Sequence, residues 1–206
     1  MQVYSGNGPL SDTKGKRRMN WLIAGVALFI STHLVSAVVP SAVSSLKAAI
    51  GPNLFRGIYS VLVLVGVTLI VIGWRSAIPV VVYAPPVWGS HLALTLMFVA
   101  VYLFGASHAK LRVLRFVRHP QLTAVLIWSV SHLLANGDIR SIILFGPLGI
   151  WAALEIPLIN RREGEWQKPA PAAMKSEIIG LVVGAVVYLV LIALHPYFAG
   201  VSPIPF

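Results

Sequence analysis

The chain has 206 residues, 57% of them hydrophobic and 11% charged, with a mean hydropathy of +0.83 and a formal net charge of +10. Soluble domains carry roughly 25% charged residues, so a chain with less than half that share cannot cover a water-facing surface, and a disordered chain is excluded by the same arithmetic. No cysteine is present, which removes disulfides, zinc-thiolate sites, thiol nucleophiles and thiolate-held haem and leaves any metal to the six histidines.

The 16 Lys and Arg residues fall in short stretches between apolar runs. That is the distribution of a membrane protein, not of a nucleic-acid-binding surface, and no nucleic-acid partner is expected. An ionised group at mid-bilayer costs about 2.5 to 3.5 kcal/mol and a span needs about 20 apolar residues, so the charge-free runs mark the spans. They predict an all-α, polytopic membrane helix bundle of about six transmembrane helices, five being the other count the runs allow.

The first run extends from Met19 to Val39 and is ended by Pro40. Residues 41–56 are too polar and broken to cross and read as an interfacial stretch with Gly51-Pro52 in a turn. Arg56 and Arg75 bracket the second run. Pro79, Pro85 and Pro86 argue against helix before Trp88, so the third span opens near Gly89 and closes near Gly105. The fourth starts at Pro120, a favourable first-turn residue, and stops at Asn136-Gly137. The fifth, Ser141 to Asn160, is interrupted by Glu155, which reads as a structural carboxylate snorkelling toward Arg161 and Arg162. A proline-broken loop over 161–176 leads to the sixth, from about Ile178 to Leu194, stopped by Pro196.

Residues 1–18 lack the apolar core of a cleaved signal peptide and read as an N-terminal extension without fixed structure, ahead of a single transmembrane domain over 19–206. Ten basic residues follow spans one, three and five, against six on the other side, four of which lie before Met19. The positive-inside rule then places the N-terminus outside the cytoplasm.

Polar side chains inside apolar runs are the candidate functional positions, because each one costs insertion energy. His33 lies in the first span and His132 in the fourth, His119 stands at the mouth of the fourth, and His91 begins the third; His108 and His195 sit near span ends and read as interfacial. Either intramembrane histidine has a purely structural reading, a hydrogen bond to a neighbouring helix. Together, two neutral imidazoles can supply the two axial bonds of a haem iron without bringing charge into lipid. His33 and His132 are offset by roughly 10 Å in depth at 1.5 Å rise per residue, so the pairs His33 with His119 and His91 with His132 stay open as well.

Arg118-His119-Pro120 combines a permanent cation with the exposed N–H groups of a helix start and suits an anion such as a haem propionate, a nucleotide-like cofactor or a lipid phosphate; a simple helix cap is the alternative. Asn136, Gly137 and Asp138 read as a tight turn, and Trp128, one turn before His132, as packing. Gly180 and Gly184 form a small-xxx-small pair that would admit a homodimer.

The segments FISTHLVSAVVP, LFRGIYSVLVLVGVTLIVIG, YAPPVWGSHLALTLMF and RFVRHPQLTAVLIWSVSHLLANGDIRSIILFG occur in the order found in the NnrU family of integral membrane proteins, which the chain resembles over roughly residues 19–160. The Arg118-His119-Pro120-Gln121 block, continued by Trp128, His132 and Gly137, carries most of the specificity. The resemblance implies residence in the bacterial inner membrane, where the N-terminus placed outside by the basic residues is periplasmic, and association with denitrification, in nitrite and nitric oxide metabolism. It extends to the plant 15-cis-zeta-carotene isomerase, which implies haem b, redox-dependent isomerase-like chemistry on an apolar substrate, His33 and His132 as iron ligands, and His119 and Arg118 as further cofactor-binding residues. A more distant similarity to isoprenylcysteine carboxyl methyltransferases, carried by Arg118-His119-Pro120, implies S-adenosylmethionine instead, but those proteins follow the motif with x-Tyr where this chain has Gln121-Leu122. A third alternative is a non-catalytic membrane assembly or transport factor. Membrane lipid, an apolar small molecule or nitric oxide, and a second copy of the chain are the expected partners.

Overall fold

In the computed structural model, which describes residues 13–204, the described residues form seven α-helices and one 3-10 turn. The helices are α1 (Thr13–Val38), α2 (Pro40–Ile50), α3 (Pro52–Ser76), α4 (Gly89–Ala106), α5 (Pro120–Ala135), α6 (Ile139–Glu163) and α7 (Met174–Ala199), with the 3-10 turn at Arg112–Arg115 between α4 and α5. Five helices, α1 from Arg18 onward, α3, α4, α6 and α7, are long and apolar enough to cross a membrane. The fold is therefore the polytopic helix bundle expected. At 16 residues α5 measures about 24 Å, short of the ~30 Å hydrocarbon thickness that the expected fourth span has to cross.

Two stretches gain definition. The stretch after Pro40 is regular helix: Pro40 takes the first-turn place of α2, and the break falls at Gly51, whose φ of +83° lies in the left-handed region that favours glycine. Its N–H closes α2 on the carbonyl of Lys47 at 3.0 Å, while Pro52 opens α3. The helix α1 begins at Thr13, so the end of the expected 1–18 extension is helical; the rest of that extension lies outside the described residues.

Contacts gather in two compact units, one reaching to Tyr83 and including Asp138–Pro147, the other comprising Ala84–Gly137 and the chain from Leu148; α6 contributes to both. In the first unit α1 packs on α3 through glycine. A Cβ on Gly25 would stand 2.6 Å from the backbone nitrogen of Ile70 and 2.8 Å from the carbonyl of Gly66, and one on Gly73 would overlap the backbone of Leu22. Lipid offers no hydrophobic drive to join two apolar helices, so close backbone approach and dispersion do the joining. Leu22 is fully buried at this seam, whereas most of α3's large apolar side chains are exposed, as contact with lipid requires.

The same unit contains the turn before α6. Asp138 caps that helix: its Oδ1 accepts the N–H groups of Arg140 and Ser141 at 3.1 and 3.2 Å, and its Oδ2 accepts the Ser141 hydroxyl at 2.6 Å. Arg140 pairs with Asp138 at 3.3 Å and lays its guanidinium 4.4 Å above the Trp74 ring, and Ile139 donates its N–H to Val80. Burial and the nearby Asp138 carboxylate raise the Tyr83 phenol above its ordinary value. Asp138 thus does structural work, as the tight-turn reading of residues 136–138 implies.

In the second unit α4 pairs with α5 and α7 lies against α4. Gly89 sits so close to Leu134 that a Cβ would overlap its carbonyl, Tyr188 donates to the Leu94 carbonyl at 2.7 Å, and Gly184 faces Tyr102. Gly180 faces Leu111, so both glycines of the small-xxx-small pair pack against neighbours of their own chain.

Replacing Gly73 by alanine forces the α1–α3 seam apart, and overpacking of this kind costs about 1 to 3 kcal/mol. The detergent-solubilised Gly73→Ala protein is expected to unfold several degrees lower in a thermal melt. Gly57→Ala, whose new Cβ meets nothing within 4 Å, is expected to melt at the wild-type temperature or slightly above it.

Candidate functional site

The Arg118-His119-Pro120 motif starts α5. His119 is its N-cap residue, with its carbonyl taking the Thr123 N–H at 2.9 Å, and Pro120 costs nothing at a position where no N–H is needed. The two polar side chains reach the end of α6. Arg118 donates one guanidinium N–H to the Gly164 carbonyl at 2.9 Å and pairs with Glu163 at 3.4 Å, while His119 donates Nε2–H to Asn160 Oδ1 at 2.8 Å. Gly164 turns the chain with φ +70° so that its carbonyl is within reach. The cation read as an anion-binding group is thus already balanced by Glu163, and the motif ties the beginning of α5 to the end of α6.

The intramembrane histidines share a local arrangement. His33 Nδ1 lies 2.8 Å from the Phe29 carbonyl, and His132 Nδ1 lies 2.8 Å from the Trp128 carbonyl, in each case one helical turn earlier. A carbonyl only accepts, so Nδ1 carries the proton, and in the neutral ring the lone pair is on Nε2. A backbone partner on one ring nitrogen is the usual way in which a metal-ligating histidine has its tautomer and orientation set.

The surroundings differ. His33 belongs to the first unit, with the Phe29 ring at 4.2 Å and the Tyr59 ring edge-on at 5.6 Å. A shallow open pocket of about 300 Å³, near the lower bound for small-molecule sites, is lined by Phe55, Arg56, Tyr59 and Ser60 on the same side of α3. His132 belongs to the second unit, at the end of α5, where Asn136 caps the helix by donating both its backbone and its amide N–H to the His132 carbonyl. The Trp128 ring is 5.2 Å from the His132 ring, packing one turn apart as its spacing suggests. His195, on the last turns of α7, stands 6.4 Å from His132 with the ring planes 24° apart. His91 is exposed at the start of α4, and His108 is exposed with its Nδ1 on Ser107.

Glu155 keeps the structural role expected of it, buried rather than at the surface. It is 7% exposed and accepts the indole N–H of Trp151, one turn earlier on α6, at 3.1 Å. Glu177 was not singled out by composition or motif, yet it joins three elements: its carboxylate accepts the Tyr102 hydroxyl and, at 2.6 Å, the Arg112 N–H. A lone acid four residues into an apolar helix was its only signal. Among the described residues no three histidine, aspartate or glutamate side chains converge as they would around a bare metal ion.

Loss of the α5–α6 tie is measurable. Arg118→Ala is expected to raise the rate of protease cleavage in the 164–173 loop several-fold in detergent, and Arg118→Lys to restore it only in part, because an ammonium cannot reproduce the two-directional guanidinium fork.

The family model of the NnrU protein matches residues 21–203. No curated protein and no solved structure matches the chain.

Proposed function

We propose, from the premise that this chain belongs to the NnrU family, that it is an integral protein of the bacterial inner membrane which holds haem b through histidine imidazoles and serves denitrification or isomerase-like redox chemistry on an apolar substrate. The observation that supports this reading is the tautomer set at His33 and His132. In both, a carbonyl one turn back takes Nδ1–H, so the lone pair of the neutral ring is on Nε2, the nitrogen a metal would use.

The donor chemistry suits haem. Two neutral imidazoles add no charge to the membrane, the chain offers no thiolate, and a porphyrin supplies four nitrogens of its own, so no cluster of three protein ligands is needed. His132 is the principal anchor: Trp128 flanks its ring and Asn136 holds its backbone at the end of α5. His33, between Phe29 and Tyr59, is the same kind of donor in the other unit. Arg118 and His119 contribute by fixing where α5 begins. Held by such imidazoles, haem would supply a one-electron couple and a Lewis-acidic iron. The protein's own part is to set imidazole orientation, exclude water with apolar helices and keep the ligands uncharged.

The methyl-transfer reading gains no support from the geometry, since Arg118 and His119 are engaged by Glu163, Gly164 and Asn160. Orientation follows the basic residues: the 40–56, 107–118 and 161–176 segments face the cytoplasm and the N-terminus the periplasm.

Protein purified in detergent from a haem-replete host is expected to show a Soret band and split bands after dithionite reduction, with haem content falling at least tenfold in His132→Ala. A colourless wild-type protein that also fails to take up added haemin would overturn the reading.

A further inference from the structure

We propose that the start of α3 is a binding site for an anionic phospholipid, with Arg56 and Ser60 on the phosphate and the Phe55 and Tyr59 rings against the glycerol and first acyl carbons. The site lies within the first unit and does not draw on the haem reading.

Charge calls for such a ligand. Residues 13–83 contain no carboxylate, so Lys47 and Arg56 have none to pair with on α1, α2 or α3. The described residues of the first unit hold one acid, Asp138, and it is taken by Ser141 and Arg140 beside Trp74. Trp74 lies 18 positions after Arg56 on α3, or about 27 Å, so that carboxylate serves the opposite end of the helix. Arg56 is exposed and makes no ion pair or side-chain hydrogen bond among the described residues. A cation left in this state at a membrane surface attracts the anionic headgroups around it.

The pocket supplies the contacts. Arg56 and Ser60 are one turn apart, as are Phe55 and Tyr59, so a polar column and an aromatic column run side by side along the helix. These four residues line the open pocket of about 300 Å³. Thr68 and Ser76, further along α3, give their hydroxyl protons to the carbonyl one turn earlier, whereas Ser60 makes no hydrogen bond among the described residues. Its hydroxyl can therefore serve a ligand, and the Arg56 guanidinium offers the planar fork that phosphate oxygens accept.

Depth fits the rest of the lipid. Leu64, Val67 and Val71 continue the Ser60 side of α3 by their spacing, and all three are exposed. Val71 lies 11 positions after Ser60, or about 16 Å, close to half of the ~30 Å hydrocarbon thickness and so to the depth of one leaflet. The preceding helix α2 has no buried residue and carries Lys47 in its last turn, as a helix lying on the membrane surface does. An inorganic phosphate ion would use the polar column and leave the aromatic and aliphatic surface uncovered, so a lipid is the occupant that suits both.

The test uses the full chain, delipidated in a neutral detergent, and reads bound lipid by native mass spectrometry and stability by thermal melting. Dioleoylphosphatidylglycerol is expected to stay bound and to raise the melting temperature by several degrees more than dioleoylphosphatidylcholine does. Arg56→Gln is expected to lower the phosphatidylglycerol adduct at least fivefold and to abolish that difference, whereas Arg75→Gln, at the other end of α3, is expected to keep both. No preference for phosphatidylglycerol in wild type, an undiminished adduct in Arg56→Gln, or an equal loss in Arg75→Gln would overturn the site. Equal stabilisation of wild type by millimolar inorganic phosphate would overturn the lipid as its occupant. Should Arg56→Gln melt well below wild type before lipid is added, Ser60→Leu decides, because it fills the pocket and leaves the charge in place: loss of the phosphatidylglycerol preference supports the site, and its retention overturns it.

Discussion

Within hydrocarbon there is no water to receive a polar hydrogen, so each donor on a membrane helix has to find an acceptor in protein. In this chain the acceptor is repeatedly the carbonyl one turn earlier on the same helix. Thr32 turns back to Leu28, Thr68 to Leu64, Ser131 to Ile127, and the two intramembrane histidines to Phe29 and Trp128. For the hydroxyls this merely disposes of a proton. For the histidines it also decides which ring nitrogen carries the proton, so the rule that makes these helices tolerable in lipid also fixes the tautomer of both rings.

Charge obeys the complementary rule and is kept to helix ends, where it fastens one element to the next. Asp138 caps α6 while Arg140 covers Trp74, Arg118 holds the other end of α6 through Glu163 and Gly164, and Glu177 gathers Tyr102 and Arg112. Between these fastenings the helices meet through small residues and dispersion, closely where Gly25, Gly66 and Gly73 bring α1 against α3 and where Gly89 of α4 meets Leu134 of α5. Glu155 is the exception in mid-helix, and it is kept tolerable in part by an indole donor one turn away.

Most of the bundle was readable in the chain because charge-free runs and prolines are one-dimensional signals: α1, α3, α4, α6 and α7 fall where those runs lie, and Pro40, Pro52 and Pro120 mark helix starts. What the residues did not disclose depends on rotation about helix axes. Gly180 and Gly184 stand out by spacing yet face Leu111 and Tyr102, whereas the closer contacts at Gly25 and Gly73 lie on different helices, where no local spacing links them. Glu155 could be placed inside or outside only once the face of α6 that carries it was known. His195 looked interfacial because its neighbour His132 lies 63 positions earlier, and nothing between them in the sequence announces that α5 and α7 end side by side. The helical nature of residues 40–50 was obscured by polarity, which excludes a span but not a short helix.

The brevity of α5 has a consequence for the surrounding lipid. Hydrophobic mismatch has to be absorbed by one side or the other, and Pro120, His119 and Asn136 settle the ends of this helix at fixed positions. Wherever α5 meets lipid, a shortfall of about 6 Å falls on the bilayer, and local thinning there would make the protein's energy depend on acyl chain length.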